Sequence, residues 1–221
     1  MEETALLFDL DGTMLMSDPI HVAVFSDMMA DRGWQIDEDV YMAHIHGRLN
    51  VDIFAEFLPD EPDPQALSEA KEAEFRNRLP RPYPAMPGLP ELLDEAQAKG
   101  WKLAVVTNAM RPNAEAMLTA IGLRDHFEVL IIGEECERGK PDPLPYRLAM
   151  DQLGVTPSQC VIFEDSPSGL RAGRASGAVV VGIRSSLDDE TLRANGAHIT
   201  LKDFTDPALS QVLAQRTGSA A

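Results

Sequence analysis

Positive charge is in short supply in this chain. Across 221 residues there are 19 lysines and arginines against 36 aspartates and glutamates, a formal net charge of −17. A surface of that sign repels polyanions, which excludes nucleic acid and anionic membranes as partners. A small phosphorylated metabolite meets the same repulsion unless its site supplies local cations, such as a metal ion and a lysine or two. Cysteine is scarcer still. Cys136 and Cys160 are too few for a disulfide framework, so both are expected as free thiols in a reducing compartment, the cytoplasm. No apolar run approaches the roughly 20 residues that span a membrane. The opening Met-Glu-Glu leads straight into a strand pattern, so no signal peptide is expected. Repeats and low-complexity segments are absent, and the tail after about Gln215 is expected to fray. What remains is 44% hydrophobic and 25% charged. That is the balance of an ordinary globular protein, long enough for one large domain or for a usual domain plus a small one.

Short apolar runs recur along the chain: TALLFD at Thr4–Asp9, KLAVVT at Lys102–Thr107, VLIIG at Val129–Gly133, VIFE at Val161–Glu164 and VVVGI at Val179–Ile183. Runs of this length suggest strands buried on both faces. Amphipathic stretches lie between them, at about Pro90–Lys99, Asn113–Ile121, Leu144–Leu153 and Ser168–Ala175. Gly100, Gly122, Gly154 and Gly177 stand just beyond these stretches, where a left-handed helix stop is expected. Strands alternating with helices predict an α/β fold, a Rossmann-like parallel sheet covered on both faces. From Asp18 to Leu79 the alternation fails, and helical patterns alone appear at Ile20–Asp31, Asp37–His44, Val51–Phe57 and Pro64–Leu79. The four prolines of Arg81–Pro90 then favour a stiff extended connector. The expected organisation is a core of residues 1–16 and 85–221 with a helical cap, 17–84, inserted after the first strand.

The chemistry-bearing residues gather at strand ends. Asp9-Leu10-Asp11-Gly12-Thr13 closes the first strand, and in an open α/β sheet ligands bind at the carboxyl ends of strands. Two carboxylates there stay ionised cheaply only with a cation between them. One can then serve as nucleophile and the other as general acid and base. Gly12 allows close backbone approach, and Thr13 offers a hydroxyl and an amide. A solvated Asp-Gly turn is the bland alternative. Thr107-Asn108 ends the second long strand with groups able to bond phosphoryl oxygens, though Thr-Asn is also a normal strand exit. Lys140, in Gly-Lys-Pro-Asp, could neutralise phosphate and pair with the nucleophile, or could be a solvated loop lysine. Glu164 and Asp165, before Ser166-Pro167, suit a magnesium site or merely complement the following helix. Ser166 and Pro167 fit the start of that helix.

In this order the motifs DLDGT (Asp9–Thr13), VTN (Val105–Asn108), GKPDP (Gly139–Pro143) and FEDSPSG (Phe163–Gly169) resemble those of the haloacid dehalogenase superfamily. The position and helical character of the insert resemble its subgroup that includes β-phosphoglucomutase and sugar-phosphate or phosphoglycolate phosphatases. The resemblance implies that Asp9 attacks phosphorus to form an aspartyl-phosphate while Asp11 protonates the leaving oxygen and then activates water. It implies Mg2+ held by Asp9, the Asp11 main-chain carbonyl and Asp165, with Glu164 as ligand or behind it. Thr107, Asn108 and Lys140 would stabilise the transferring group. Dehalogenases of the superfamily lack the second aspartate, so Asp11 argues against dehalogenation. The cap would select the substrate, with Ser17 and His21 at its entrance, Arg48 and Asn50 in the HGRLN turn, and Lys71 as candidates. His21 could instead cap or pack in the first cap helix, and Lys71 lies in EAKEAEF, a charged face expected to be mostly solvated. Mutase relatives hold a second phosphate with a cap-loop arginine. Here Asn50 occupies that position and Arg48 is offset by two, which sets mutase activity behind phosphatase activity. His44 and His46 resemble a metal pair only superficially, since residues two apart need not face each other. A catalytically idle binding protein is the third reading. A monomer is expected, with a dimer through an apolar cap surface as the alternative.

Overall fold

The computed structural model describes residues 4–46 and 48–214. Gly47 of the HGRLN turn and the tail expected to fray lie outside the described residues. The chain divides into two compact units, one made of the residues through Met16 and those from Arg81 onward, the other of Ser17 through Pro80. The return thus falls before the proline-rich connector, where the sequence pattern placed it after residue 84. Backbone bonds explain the difference: Tyr83 N donates to Ala120 O at 2.8 Å and Met86 N to Met14 O at 2.7 Å, which pins the connector to the α/β unit.

That unit is a parallel sheet of β1 (Ala5–Phe8), β2 (Lys102–Thr107), β3 (Val129–Ile132), β4 (Cys160–Glu164), β5 (Val179–Ile183) and β6 (Ile199–Leu201), in the order β3-β2-β1-β4-β5-β6. Among the described residues, the α-helices of this unit are α5 (Leu89–Ala98), α6 (Arg111–Ala120), α7 (Leu144–Leu153), α8 (Pro167–Ser176), α9 (Asp189–Ala194) and α10 (Ala208–Ala214). The doubly wound α/β architecture is as expected; β6, α9 and α10 were not. Strand alternation sorts the core into two faces. Ala5, Leu7, Ala104, Val106 and Ile162 pack with Tyr146 and Met150 of α7 and Leu170 of α8. On the opposite face Phe8 stacks on Phe163 with centroids 5.0 Å apart, and both rings meet Phe204. Gly100, Gly122, Gly154 and Gly177 all have positive φ at the helix ends.

The strand order places β1 between β2 and β4 (Phe8 aligned with Val105 on one side and Phe163 on the other), so the chain reverses its winding at β1. The crevice at such a switch point lies beyond the carboxyl ends of the three strands, which is where Asp9, Thr107 and Glu164 emerge.

The other unit holds α1 (Asp18–Ala30), α2 (Glu38–His44), α3 (Asn50–Phe57) and α4 (Pro64–Arg78). Asp37 and Asp63 start α2 and α4 by accepting bonds from Val40 N and Ala66 N. Phe25, Met29, Tyr41, Ile53, Phe54 and Phe57 form its apolar centre. Among the described residues no helix is long and apolar enough to cross a membrane.

Candidate active site

Asp9 sits one residue past β1 and still belongs to the ladder, its amide donating to Phe163 O at 2.9 Å. The chain then turns sharply. Met14 N and Thr13 N both return to Leu10 O, Gly12 N donates to Leu15 O, and Gly12 takes a φ of 78°. A side chain at Gly12 is excluded twice over, by that backbone and because its β-carbon would lie within 3.0 Å of the Asp165 carboxylate. The turn therefore brings the first motif against the fourth. Thr13 Oγ1 donates to Asp165 Oδ1 at 3.2 Å, and Ser185 Oγ donates to Asp165 Oδ2 at 3.3 Å.

Lys140 is buried at the centre of this arrangement, not solvated. Its ammonium donates to Asp9 Oδ1 at 2.7 Å, to Val106 O at 2.7 Å and to Glu164 Oε1 at 2.5 Å, which uses all three of its N–H bonds. Asn108 fixes the loop that carries it: Asn108 Oδ1 accepts from Lys140 N and Asn108 Nδ2 donates to Lys140 O. The Asn108 side chain also lies where a β-carbon on Gly133 would have to go. Thr107 is buried, and its hydroxyl accepts from Ala109 N, bending the chain away from β2.

Asp9, Glu164 and Asp165 each present a carboxylate oxygen within 4.8 Å of the others, and all three are buried. It is the one such group of potential metal ligands among the described residues; His44 and His46 are not in it. Burial pushes the Asp9 carboxyl up to about 7, with Glu164 and Asp11 adding to the rise and Lys140 opposing it. Burial likewise works against the Lys140 charge, but Asp9 and Glu164 outweigh it and hold that group above its ordinary value. One ammonium faces three buried carboxylates, so the cluster carries surplus negative charge. A donor set of carboxylate oxygens suits a hard divalent cation.

The helical unit has its own buried polar cluster. His21 Nδ1 lies 2.7 Å from Lys71 Nζ, which also pairs with Glu72 Oε1 at 2.8 Å. Asn50 Nδ2 donates to the same Glu72 oxygen at 2.5 Å and to Ser68 Oγ at 3.3 Å. His21 stacks on Phe75 at 4.1 Å, and the Lys71 ammonium sits over Phe25. The expectation of a solvated Lys71 is corrected: the residue is 3% exposed, because α4 buries the face that carries Lys71 and Phe75, four residues apart. Burial works against ionisation of Glu72, but Lys71 and His21 overcome it and hold the carboxyl below its usual range. Arg48 lies apart from this cluster, on Glu56 at 2.7 Å and His44 O. Ser17 is buried at the start of α1, where its carbonyl accepts from Ile20 N and His21 N.

Four residues here escaped the sequence reading: Glu72, Tyr146, Ser185 and Tyr83. Tyr146 is wholly buried, and its hydroxyl donates to Glu164 Oε1 at 2.7 Å. Tyr83 donates to Met16 O at 2.6 Å, and burial together with the charge of Asp11 raises its phenol. None lies in a motif, and only the Lys-Glu adjacency of EAKEAEF hinted at Glu72.

Comparison with known proteins finds both a matching family and similar folds. A family model described as haloacid dehalogenase-like hydrolase matches residues 6–183. The chain is 33% identical to Protein CbbY of Rhodobacter capsulatus over 198 residues, 82% of this chain and 85% of the relative. It is also 33% identical to validoxylamine A 7'-phosphate phosphatase of Streptomyces hygroscopicus subsp. limoneus over 213 residues, 90% of this chain and 93% of the relative. A crystal structure of a CbbY mutant from Rhodobacter sphaeroides with xylulose-(1,5)bisphosphate superposes with a TM-score of 0.77 at 30% identity, covering 92% of this chain and 95% of that one.

Proposed function

Since the chain belongs to the haloacid dehalogenase-like hydrolase family, we propose that it is a Mg2+-dependent phosphatase of a small phosphate monoester, acting through a phosphorylated Asp9. The observation that carries this reading is the buried Asp9 carboxylate, held at one oxygen by Lys140 and set beside Glu164 and Asp165. An ionised acid is costly in that position unless it has work to do with a cation and an anionic ligand. Asp9 attacks phosphorus through its other oxygen; the new P–O bond forms as the ester P–O bond breaks. Asp11 gives its proton to the leaving oxygen, then takes one from the water that attacks the aspartyl-phosphate, so that inorganic phosphate leaves and both aspartates are restored. Lys140, Thr107, Asn108 and the Gly12-Thr13 backbone stabilise the oxygens of the transferring group, since positioning and electrostatics dominate this reaction. Asp9, Asp165 and the Asp11 main-chain carbonyl would hold Mg2+, with Glu164 behind them. The ion would supply charge neutralisation at the phosphoryl oxygens.

The substrate is of sugar phosphate or phosphoglycolate type, a reading supported by the relatives named for validoxylamine A 7'-phosphate or crystallised with xylulose-1,5-bisphosphate. His21, Lys71, Asn50 and Arg48 would select it. Hydrolysis is favoured over a phosphohexomutase because Arg48 pairs with Glu56, and the position aligned with the mutases' cap-loop arginine is here Asn50, a neutral side chain engaged with Glu72. The protein would work as a monomer in the cytoplasm, its two cysteines reduced. Incubation with Mg2+ and a panel of phosphorylated metabolites should release inorganic phosphate from a few sugar or glycolate phosphates, and excess chelator should stop it. Silence across the panel, followed by hexose-phosphate isomerisation once a bisphosphate is added, would replace phosphatase with mutase.

A further inference from the structure

Glu164 is the last residue of β4, two positions after Ile162, so strand alternation turns its side chain to the face covered by α7 and α8. There it meets five donors. Oε1 accepts from Lys140 Nζ at 2.5 Å and from Tyr146 Oη at 2.7 Å. Oε2 accepts from Asp165 N at 3.2 Å, Ser166 N at 3.3 Å and Ser166 Oγ at 3.1 Å. A carboxylate has about four lone-pair positions, so these five donors from the chain itself engage Glu164 at both oxygens and make it an anchor for Lys140.

Tyr146 completes the anchor from α7. Its hydroxyl shares Oε1 with the ammonium, and its ring lies beneath that ammonium, 5.0 Å from Nζ to the centroid. We propose that Tyr146 is a positioning residue for phosphoryl transfer: by fixing Glu164 Oε1 it fixes the Lys140 ammonium against the nucleophile Asp9. Without the hydroxyl, Glu164 Oε1 has one donor in place of two and holds the Lys140 ammonium less firmly in place. The proposal rests on the phosphatase reading for its kinetic consequence, but its binding consequence can be measured without turnover.

The variant is Tyr146→Phe, which keeps the ring and leaves four of the five donors on Glu164, so the fold is expected to survive. With p-nitrophenyl phosphate and saturating Mg2+, kcat should fall about tenfold, the weight of one hydrogen bond to a charged group, with KM changed less than about twofold. Calorimetric titration of the Mg2+-loaded protein should show vanadate, which mimics the transferring phosphoryl group, bound about tenfold more weakly. Inorganic phosphate and Mg2+ itself should bind as before. A lowered melting temperature with kcat and vanadate affinity unchanged would overturn the proposal, because that is the signature of packing alone. So would a fall in Mg2+ affinity equal to the fall in kcat, which would make Glu164 a ligand after all. If no ester turns over yet vanadate binding drops in the variant, the function fails and the positioning role stands. Failure of the unmodified protein to bind vanadate would sink both.

Discussion

Gly169→Ala is the perturbation whose size follows most directly from the structure. Gly169 is the third residue of α8, and a β-carbon there would lie within 3.0 Å of all three atoms of the Glu164 carboxylate group. Neither side can yield cheaply. The first turn of α8 is tied by Ser166 Oγ accepting from Gly169 N at 3.1 Å, and the carboxylate is held by five donors. If the carboxylate moves, it loses Lys140 and Tyr146, and stranding a buried ion in this way costs about 3–5 kcal/mol. Alanine returns about 1 kcal/mol through its better helix propensity. The net loss is about 2–4 kcal/mol, which for a chain of this length lowers the melting temperature by about 4–16 °C. Gly122→Ala is the control. Its β-carbon would meet nothing within 4 Å, and only its φ of 72° opposes the change, at about 1–2 kcal/mol. Urea unfolding followed by circular dichroism compares the two. Should Gly169→Ala prove no more destabilising than Gly122→Ala, the account of a rigidly held Glu164 is wrong.

Two further outcomes are expected. Mg2+ affinity, measured calorimetrically without substrate, should rise between pH 5.5 and 7.5. Burial keeps Asp9 protonated up to about 7, so cation binding must displace that proton; affinity that stays flat across this range, with no proton released, would contradict it. In the helical unit, Lys71→Met leaves Glu72 buried beside Asn50 without its cation and should cost about 3 kcal/mol at pH 7. Glu72 is held ionised by Lys71, so that cost should shrink as pH falls and Glu72 protonates. The double variant Lys71→Met, Glu72→Gln should recover most of the loss in urea unfolding; a cost independent of pH would count against the pairing.

How far the sequence carries this picture differs from residue to residue. The five long strands and their helices were legible because a strand buried on both faces reads as an unbroken apolar run such as KLAVVT or VVVGI. β6 was not, since Ile199-Thr200-Leu201 is three residues long and its centre is polar. The ligand edge of the sheet was legible through Asp9, Asn108, Lys140 and Asp165, because strand ends and restrictive neighbours announce themselves locally. Tyr146 and Ser185 were invisible, as each reaches the site from an element whose packing only the fold supplies. Lys71 was misread for the same reason. EAKEAEF looks solvated until α1 and α3 close over it with Phe25 and Asn50. The side to which Glu164 turns could have been read by counting two from Ile162 along β4.

Everything in the functional account passes through a phosphoryl group on Asp9. The direct measurement is to quench the Mg2+-loaded enzyme during turnover of its best ester and locate any phosphoryl adduct by mass spectrometry. The expected result is an adduct on the peptide containing Asp9, present in the unmodified protein and missing from an Asp9→Asn variant that still binds substrate. An adduct on another residue, or undiminished phosphate release by Asp9→Asn, would contradict the account.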